Sequence, residues 1–229
     1  EVNVYDTIQQ GLINRTYSVK TTKGEFILQY INHNVFKNPK AIDANINAIG
    51  AYIKETNPDY LYTHLLPTLQ GNTLIEWEGG YYRAFNKIEG YALSVLDHKL
   101  QVEEAAKQFA KFTYVLKDFD AHRLTDTLVQ FHDLNFRYQQ FTEAIQHGNA
   151  HRIEQCQEQI KLLLSLKHYV DTYNNYINHK DVKKRVTHHD TKISNVLFNK
   201  IDDQEQAICV IDLDTTMSGY YISDVGDMC

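Results

Sequence analysis

RVTHHDTKISNVLF, Arg185–Phe198, is the stretch on which the reading of this chain turns. It sets an acid, a lysine and an amide at Asp190, Lys192 and Asn195, just ahead of an apolar run. Behind it lie two strand-like segments, NVLFN and AICVIDL, separated by the polar turn KIDDQEQ. Asn195 and Asp212 therefore bracket a hairpin. With the turn pivoting between Asp203 and Gln204, Asn195 falls opposite Asp212, where ladder partners hold their β-carbons about 4.5–5.5 Å apart. Both side chains then project from the open end of the hairpin, beside the loop that holds Asp190. A slip of one residue would aim them at opposite faces.

That arrangement suits magnesium and phosphoryl transfer. Mg²⁺ takes a few protein oxygens, typically one or two carboxylates, and fills its shell with water and phosphate oxygens. Asp212 offers the carboxylate and Asn195 an amide oxygen. Asp190 is placed to orient a substrate hydroxyl and accept its proton, and Lys192 to reach the transferred phosphoryl group. Phosphoryl transfer depends mostly on positioning and electrostatic stabilisation, and these four residues supply both. The bland alternative is a solvated loop before a buried strand. The joint spacing, together with Asp212, favours function. His189 is read as a loop contact, and zinc is disfavoured, because no second Cys/His cluster completes a site. Asp214 is read either as a second acid near the metal, on the same side of a strand as Asp212, or as a cap for the following turn.

Outward from this segment the texture changes twice. TYSVKTTKGEFILQYI reads as two strands joined by a turn containing Lys23-Gly24. A helix is expected from about Pro39 to Glu55, and WEGGYYRAFNKI reads as a second hairpin turning at Gly79-Gly80. After Gly90, Ala105, Phe109, Phe112, Leu116 and Phe119 recur at helical spacing, as do Phe131, Leu134, Tyr138, Phe141 and Ile145. A third helical stretch covers about Arg152 to Ile177, and no proline follows Pro67. The expected layout is a β-rich N-terminal lobe over 1–86, a hinge at 87–90 and a larger helical lobe over 91–229.

Bulk properties narrow the function. The chain has 229 residues, 43% of them hydrophobic and 23% charged, as in an ordinary globular protein. A net charge of −6 argues against sequence-independent nucleic-acid binding, which depends on neutralising many phosphates. Three widely spaced cysteines, Cys156, Cys209 and Cys229, suggest free thiols in a reducing compartment. No signal peptide or membrane-length apolar run is apparent, so a cytoplasmic location with no membrane partner is expected. The chain opens on Glu1 and stops at Cys229 soon after a polar turn, so its C-terminal part is expected to be missing.

H-x-D-x-K-x-x-N, here His188, Asp190, Lys192 and Asn195, resembles the catalytic loop of the protein-kinase-like fold. Ile211-Asp212 resembles the metal-binding segment that follows it. Without the glycine of a DFG motif, the pair is similar to the aminoglycoside phosphotransferase and choline kinase branch. Within it, LQYINHNVFKNP, YYRAFNKIEG, FHDLNFR, HHDTKISNVLF and VIDLDTTMSGYYISDVGDM most resemble the N-acetylhexosamine 1-kinase group. The resemblance implies an α+β, bilobal kinase using ATP and Mg²⁺, with Asp190 as catalytic aspartate, Asn195 and Asp212 as metal ligands and His188 as a brace for the loop. It implies a turn around Gly11 to Asn14 covering the phosphates, backbone from Asn86 through Lys87 to Ile88 meeting adenine, and His132, Asp133 and Arg137 as candidates for the acceptor pocket. Two departures stand out. The phosphate loop has a single glycine, and Gln29 stands where many relatives carry a strand lysine, so phosphate placement must lean on magnesium, Lys192 or another cation.

The expected activity is transfer of the γ-phosphoryl group to a small-molecule hydroxyl, the anomeric hydroxyl of an N-acetylhexosamine first, with aminoglycoside, choline or homoserine-type acceptors as alternatives. Two readings compete. VIDLDTT fits the D-x-D-x-T pattern of phosphatases through Asp212, Asp214 and Thr216, although the upstream helices lack the expected βαβ alternation. Gln29 and the glycine-poor loop would also suit a non-catalytic nucleotide-binding module.

Overall fold

β1 (Val2–Ile8), β2 (Arg15–Thr21) and β3 (Gly24–Ile31) form an antiparallel run in the computed structural model, which describes residues 2–8, 13–95, 97–202 and 204–229. After helix α1 (Pro39–Thr56) come β4 (Leu74–Trp77) and β5 (Gly80–Asn86), and the five strands lie in the order β1-β2-β3-β5-β4. The second hairpin turns one residue earlier than the sequence suggested. Trp77 pairs with Gly80, so the turn residues are Glu78 and Gly79, at φ 48 and 73. A two-residue hairpin turn of this kind needs positive φ at both positions, and glycine fits the second without strain.

α1 starts where chemistry says it should. The Asn38 side chain accepts the amide of Ala41, and Pro39 occupies the first turn, where a missing N–H costs nothing. Ile42, Ile46, Ile49 and Ile53 form its buried stripe, in one core with Ile31, Phe36, Tyr62 and Leu65. β6 (Tyr91–Ala92) and α2 (Lys99–Val115) follow, with Ala105, Phe109 and Phe112 buried as expected. α2 ends at Val115, but a turn from Leu116 to Phe119 keeps both of those side chains in the core.

The long helical stretch is subdivided. α3 (Leu134–His147) is followed by α4 (Ala150–Gln155), α5 (Gln157–Ser165) and α6 (His168–Ile177). Side chains take backbone carbonyls at the breaks after α4 and α5: Gln157 Nε2 bonds Ile153 O, and Ser165 Oγ bonds Leu162 O. Such local bonds compete with the helix, and no proline is needed to interrupt it.

β7 (Arg185–Thr187) pairs with β10 (Met217–Gly219), and β8 (Val196–Ile201) lies between β6 and β9 (Gln204–Val210); α7 (Tyr221–Met228) completes the elements. The chain forms two compact units, one of Glu1–Leu128 with Arg185–Cys229 and one of Val129–Lys184. Segment 87–90 lies inside the first. Among the described residues, no helix is long and apolar enough to cross a membrane.

Candidate active site

The hairpin behind the loop differs in register from its sequence reading. Ile201 pairs with Gln204, and the ladder slips at Ile208, between Phe198↔Ala207 and Leu197↔Cys209. Asn195 consequently faces Ile211, whose amide donates to Asn195 O at 2.9 Å, and not Asp212. Asp203, part of the predicted pivot, lies outside the described residues. Asp212 has left the strand altogether, at φ 59 and ψ 62, and Asp214 sits in the 3-10 turn Leu213–Thr215. The two acids therefore do not share one strand face. A left-handed backbone in a non-glycine residue carries strain and tends to persist where the surroundings hold it.

Within the loop the expected groups meet. Asn195 Nδ2 donates to Asp190 O at 2.8 Å and to Asp190 Oδ2 at 2.9 Å, and Lys192 Nζ lies 2.6 Å from that same Oδ2. Asp190 Oδ1 accepts no hydrogen bond among the described residues and stays open, on a half-buried side chain. The two acceptors around Asn195 Nδ2 fix the orientation of its amide and leave Oδ1 outside these contacts.

Six hydrogen bonds among the described residues help hold the loop. His188 is fully buried, with Nε2 3.0 Å from Ile211 O and Nδ1 3.3 Å from the amide of Asp190. Burial lowers its pKa and keeps the ring neutral, as a nitrogen accepting from Asp190 requires. Asp224, on α7, accepts the amides of His188 and His189 at 2.8 Å each. Burial pushes its carboxyl up to about 6, against the pull of those two donors. Thr191 Oγ1 donates to Asp224 O at 2.8 Å, and Thr215 Oγ1 to His188 O at 2.7 Å. His189 has φ 65, and its ring lies so close to Gly219 that a Cβ there would overlap it.

Asp212 reaches solvent, yet protein packs closely around it, and that crowding is the first cause of its raised pKa. Asp214 adds repulsion; Arg83 and Lys192 oppose it, and Asp190 adds a little more. An acid destabilised by neighbouring acids, next in chain to the ladder partner of an amide oxygen, is a fitting donor set for a hard divalent cation. Asp214 is committed elsewhere. Its Oδ1 pairs with Arg83 and its Oδ2 accepts Asn14 Nδ2 at 2.6 Å.

A family model described as "Phosphotransferase enzyme family" (APH) matches residues 5–229. The chain belongs to this family. Among solved structures, APH(2")-IIia in its GDP and kanamycin complex has a TM-score of 0.69 at 15% identity, over 98% of this chain and 71% of that one. A microcompartment-associated aminopropanol kinase gives 0.66 at 15% identity, over 98% and 68%. A Plasmodium vivax ethanolamine kinase gives 0.57 at 14% identity, over 98% and 59%. The α+β, protein-kinase-like fold read from the sequence is thus the fold observed. This phosphotransferase is a small-molecule kinase with a hydroxyl acceptor.

The other expected residues of the phosphotransferase are placed as follows. Gly11 lies outside the described residues. Asn14 ties Asp214 to the amide of Asn32, at 2.6 and 2.9 Å. Gln29 donates to Thr16 Oγ1 at 3.1 Å and accepts from Arg83. Asn86 ends β5 opposite Phe26, Lys87 pairs with Glu25 at 2.5 Å, and Ile88 is half-buried. His132, Asp133 and Arg137 belong to the other unit, Val129–Lys184. There Asp133 caps α3, accepting from Asn135 N and Phe136 N, and Arg137 bonds Phe131 O and Gln140. Sequence reasoning missed Arg83 and Asp224. Arg83 becomes visible only through the β3–β5 register, whereas Asp224 stood in the quoted stretch ending SDVGDM without a role.

Proposed function

We propose that this kinase is ATP- and Mg²⁺-dependent and phosphorylates the anomeric hydroxyl of an N-acetylhexosamine in the cytoplasm. The observation that carries the chemistry is Asp190: one oxygen is held by Lys192 and Asn195, and the other is open. Asp190 Oδ1 accepts the proton of the acceptor hydroxyl. The hydroxyl oxygen then bonds the γ-phosphorus as the bond to the β,γ-bridging oxygen breaks and ADP leaves. Lys192, spanning between Asp190 and the reacting groups, screens the charge of the transferring phosphoryl group. Magnesium, when bound by Asn195 Oδ1 and Asp212, supplies neutralisation of phosphate charge.

The nucleotide is supported by the GDP complex of the similar APH(2")-IIia, and by ADP in a spectinomycin phosphotransferase structure with a TM-score of 0.57. Support for the amino sugar is the likeness of the five quoted segments to the N-acetylhexosamine 1-kinase group. The relatives named above take kanamycin, aminopropanol or ethanolamine, so acceptor choice varies widely on this fold. The D-x-D-x-T reading loses support at Asp214, both of whose oxygens are occupied.

The test is acceptor-dependent ADP release from ATP with N-acetylglucosamine, N-acetylgalactosamine, kanamycin, choline, ethanolamine and homoserine. The expected product is a sugar 1-phosphate, which no longer reduces alkaline copper. Faster turnover of any other acceptor, or a product that still reduces copper, would overturn the assignment.

A further inference from the structure

Arg83, on β5, is only 2% exposed and is the largest fully buried side chain among the described residues. Its ladder partner on β3 is Gln29. Nε and Nη2 both donate to Gln29 Oε1, at 3.0 and 2.6 Å, and Nη2 also pairs with Asp214 Oδ1. The guanidinium carbon lies 5.1 Å from the centre of the Phe85 ring. Nη1, with its two N–H groups, has no hydrogen-bond partner among the described residues. Buried polar atoms are nearly always satisfied, and an orphan on a permanent cation needs a reason.

The surroundings point to an anion. Asp214 is two residues from Asp212, and its second oxygen holds Asn14, which ends the turn expected over the phosphates. Gln29 occupies the strand position where a lysine was expected and brings no charge. It turns its carbonyl oxygen to Arg83 instead, a hold that a lysine could not provide. The strand pair thus delivers a cation by another route.

We propose that Arg83 is the phosphate-binding cation of the nucleotide site, aligned by Gln29 and Asp214, with Nη1 donating to phosphate oxygens of bound ATP. The assignment rests on the kinase reading above. Nη1 keeps two N–H donors on a permanent cation, and charge-assisted bonds of this kind to phosphate oxygens are strong. Nη1 is sealed from water here, so engagement requires the groups covering it to shift. Gln29 is then a positioning residue, acting through Arg83.

The test is calorimetric binding of ATP and of AMP to the full chain in EDTA, which removes any contribution from a divalent ion. Arg83→Gln is compared with the wild type, with Asp214→Asn and with the double variant. Removing one member of a buried ion pair strands the other, and the double variant avoids this cost. Melting curves select the variants that fold. Loss of one charge-assisted contact should cut the preference for ATP over AMP by about tenfold to a hundredfold in folded Arg83→Gln or in the double variant. Affinity for AMP should stay near wild type, and folded Asp214→Asn, which loosens the alignment of Arg83 without removing its charge, should lose only part of the preference. In the wild-type chain, the Arg83 side-chain nitrogen resonances should move with ATP and stay still with AMP. A folded variant that keeps the wild-type preference, or resonances that ignore ATP, would overturn the assignment and leave Arg83 as a structural partner of Asp214. A wild-type chain that binds neither nucleotide would instead sink the kinase reading beneath it.

Discussion

Asp190, Lys192 and Asn195 meet because a short loop carries all three, and that proximity was legible in the spacing alone. Asp190→Asn keeps the shape and removes the proton acceptor, so kcat should fall about 10²–10⁴-fold in a steady-state assay while ATP affinity holds. Turnover within a few-fold of wild type would remove Asp190 from proton transfer. Arg83 was not legible, because its role depends on which residue of a distant strand it faces. Asp224 raises a separate issue of pH. Its folded pKa is raised from 3.8 to about 6, so the folded state binds a proton there more tightly than the unfolded chain. Its stabilising contribution is therefore complete below about pH 4 and is lost as pH rises through 6, by about 3 kcal/mol at most. Melting temperatures of wild type and Asp224→Asn, compared from pH 4 to 7, should show the wild type losing ground as pH rises. Parallel curves would contradict this.

At the scale of elements, Asn45 ties α1 to Thr125 and to Thr216, the residue just before β10. Its side chain bonds Thr125 N at 2.9 Å, Thr125 O at 2.8 Å and Thr216 O at 3.1 Å. Asn45→Ala would strand the buried Thr216 carbonyl and two part-buried backbone groups of Thr125. Unsatisfied groups cost about 1–3 kcal/mol each, and partial relaxation should leave a loss of about 2 kcal/mol or more in urea unfolding. A loss below about 0.5 kcal/mol would show that Asn45 does not anchor the helix. The existence of α1, α2, α3 and both N-terminal hairpins was readable from apolar periodicity and turn residues. Registers were not. The β8–β9 hairpin closes at Ile201–Gln204, an extra residue at Ile208 re-registers it, and Asp212 takes a left-handed backbone; none of these follows from propensity, because each is set by tertiary packing.

For the whole molecule, the mixed architecture was legible as a change of texture near Gly90, and the family likeness spans residues 5–229. The division into units was not, because Arg185–Cys229 returns to the N-terminal unit across the intervening helices. Long-range closure of that kind leaves no local mark in a sequence. A nucleotide that binds only the folded chain must stabilise it, by about 2.7 kcal/mol at a hundred times its Kd. MgATP should therefore raise the melting temperature in a concentration-dependent way, and an unmoved melting curve would count against binding. The claim beneath all of this is that Asn195 and Asp212 hold one divalent ion beside the open oxygen of Asp190. The most direct measurement is anomalous diffraction from crystals of the chain grown with Mn²⁺ in place of Mg²⁺ and a non-hydrolysable ATP analogue. The account predicts a peak bonded to both Asn195 Oδ1 and the Asp212 carboxylate, with Asp214 still paired to Arg83; a peak on Asp214 alone, or none near Asp212, would contradict it.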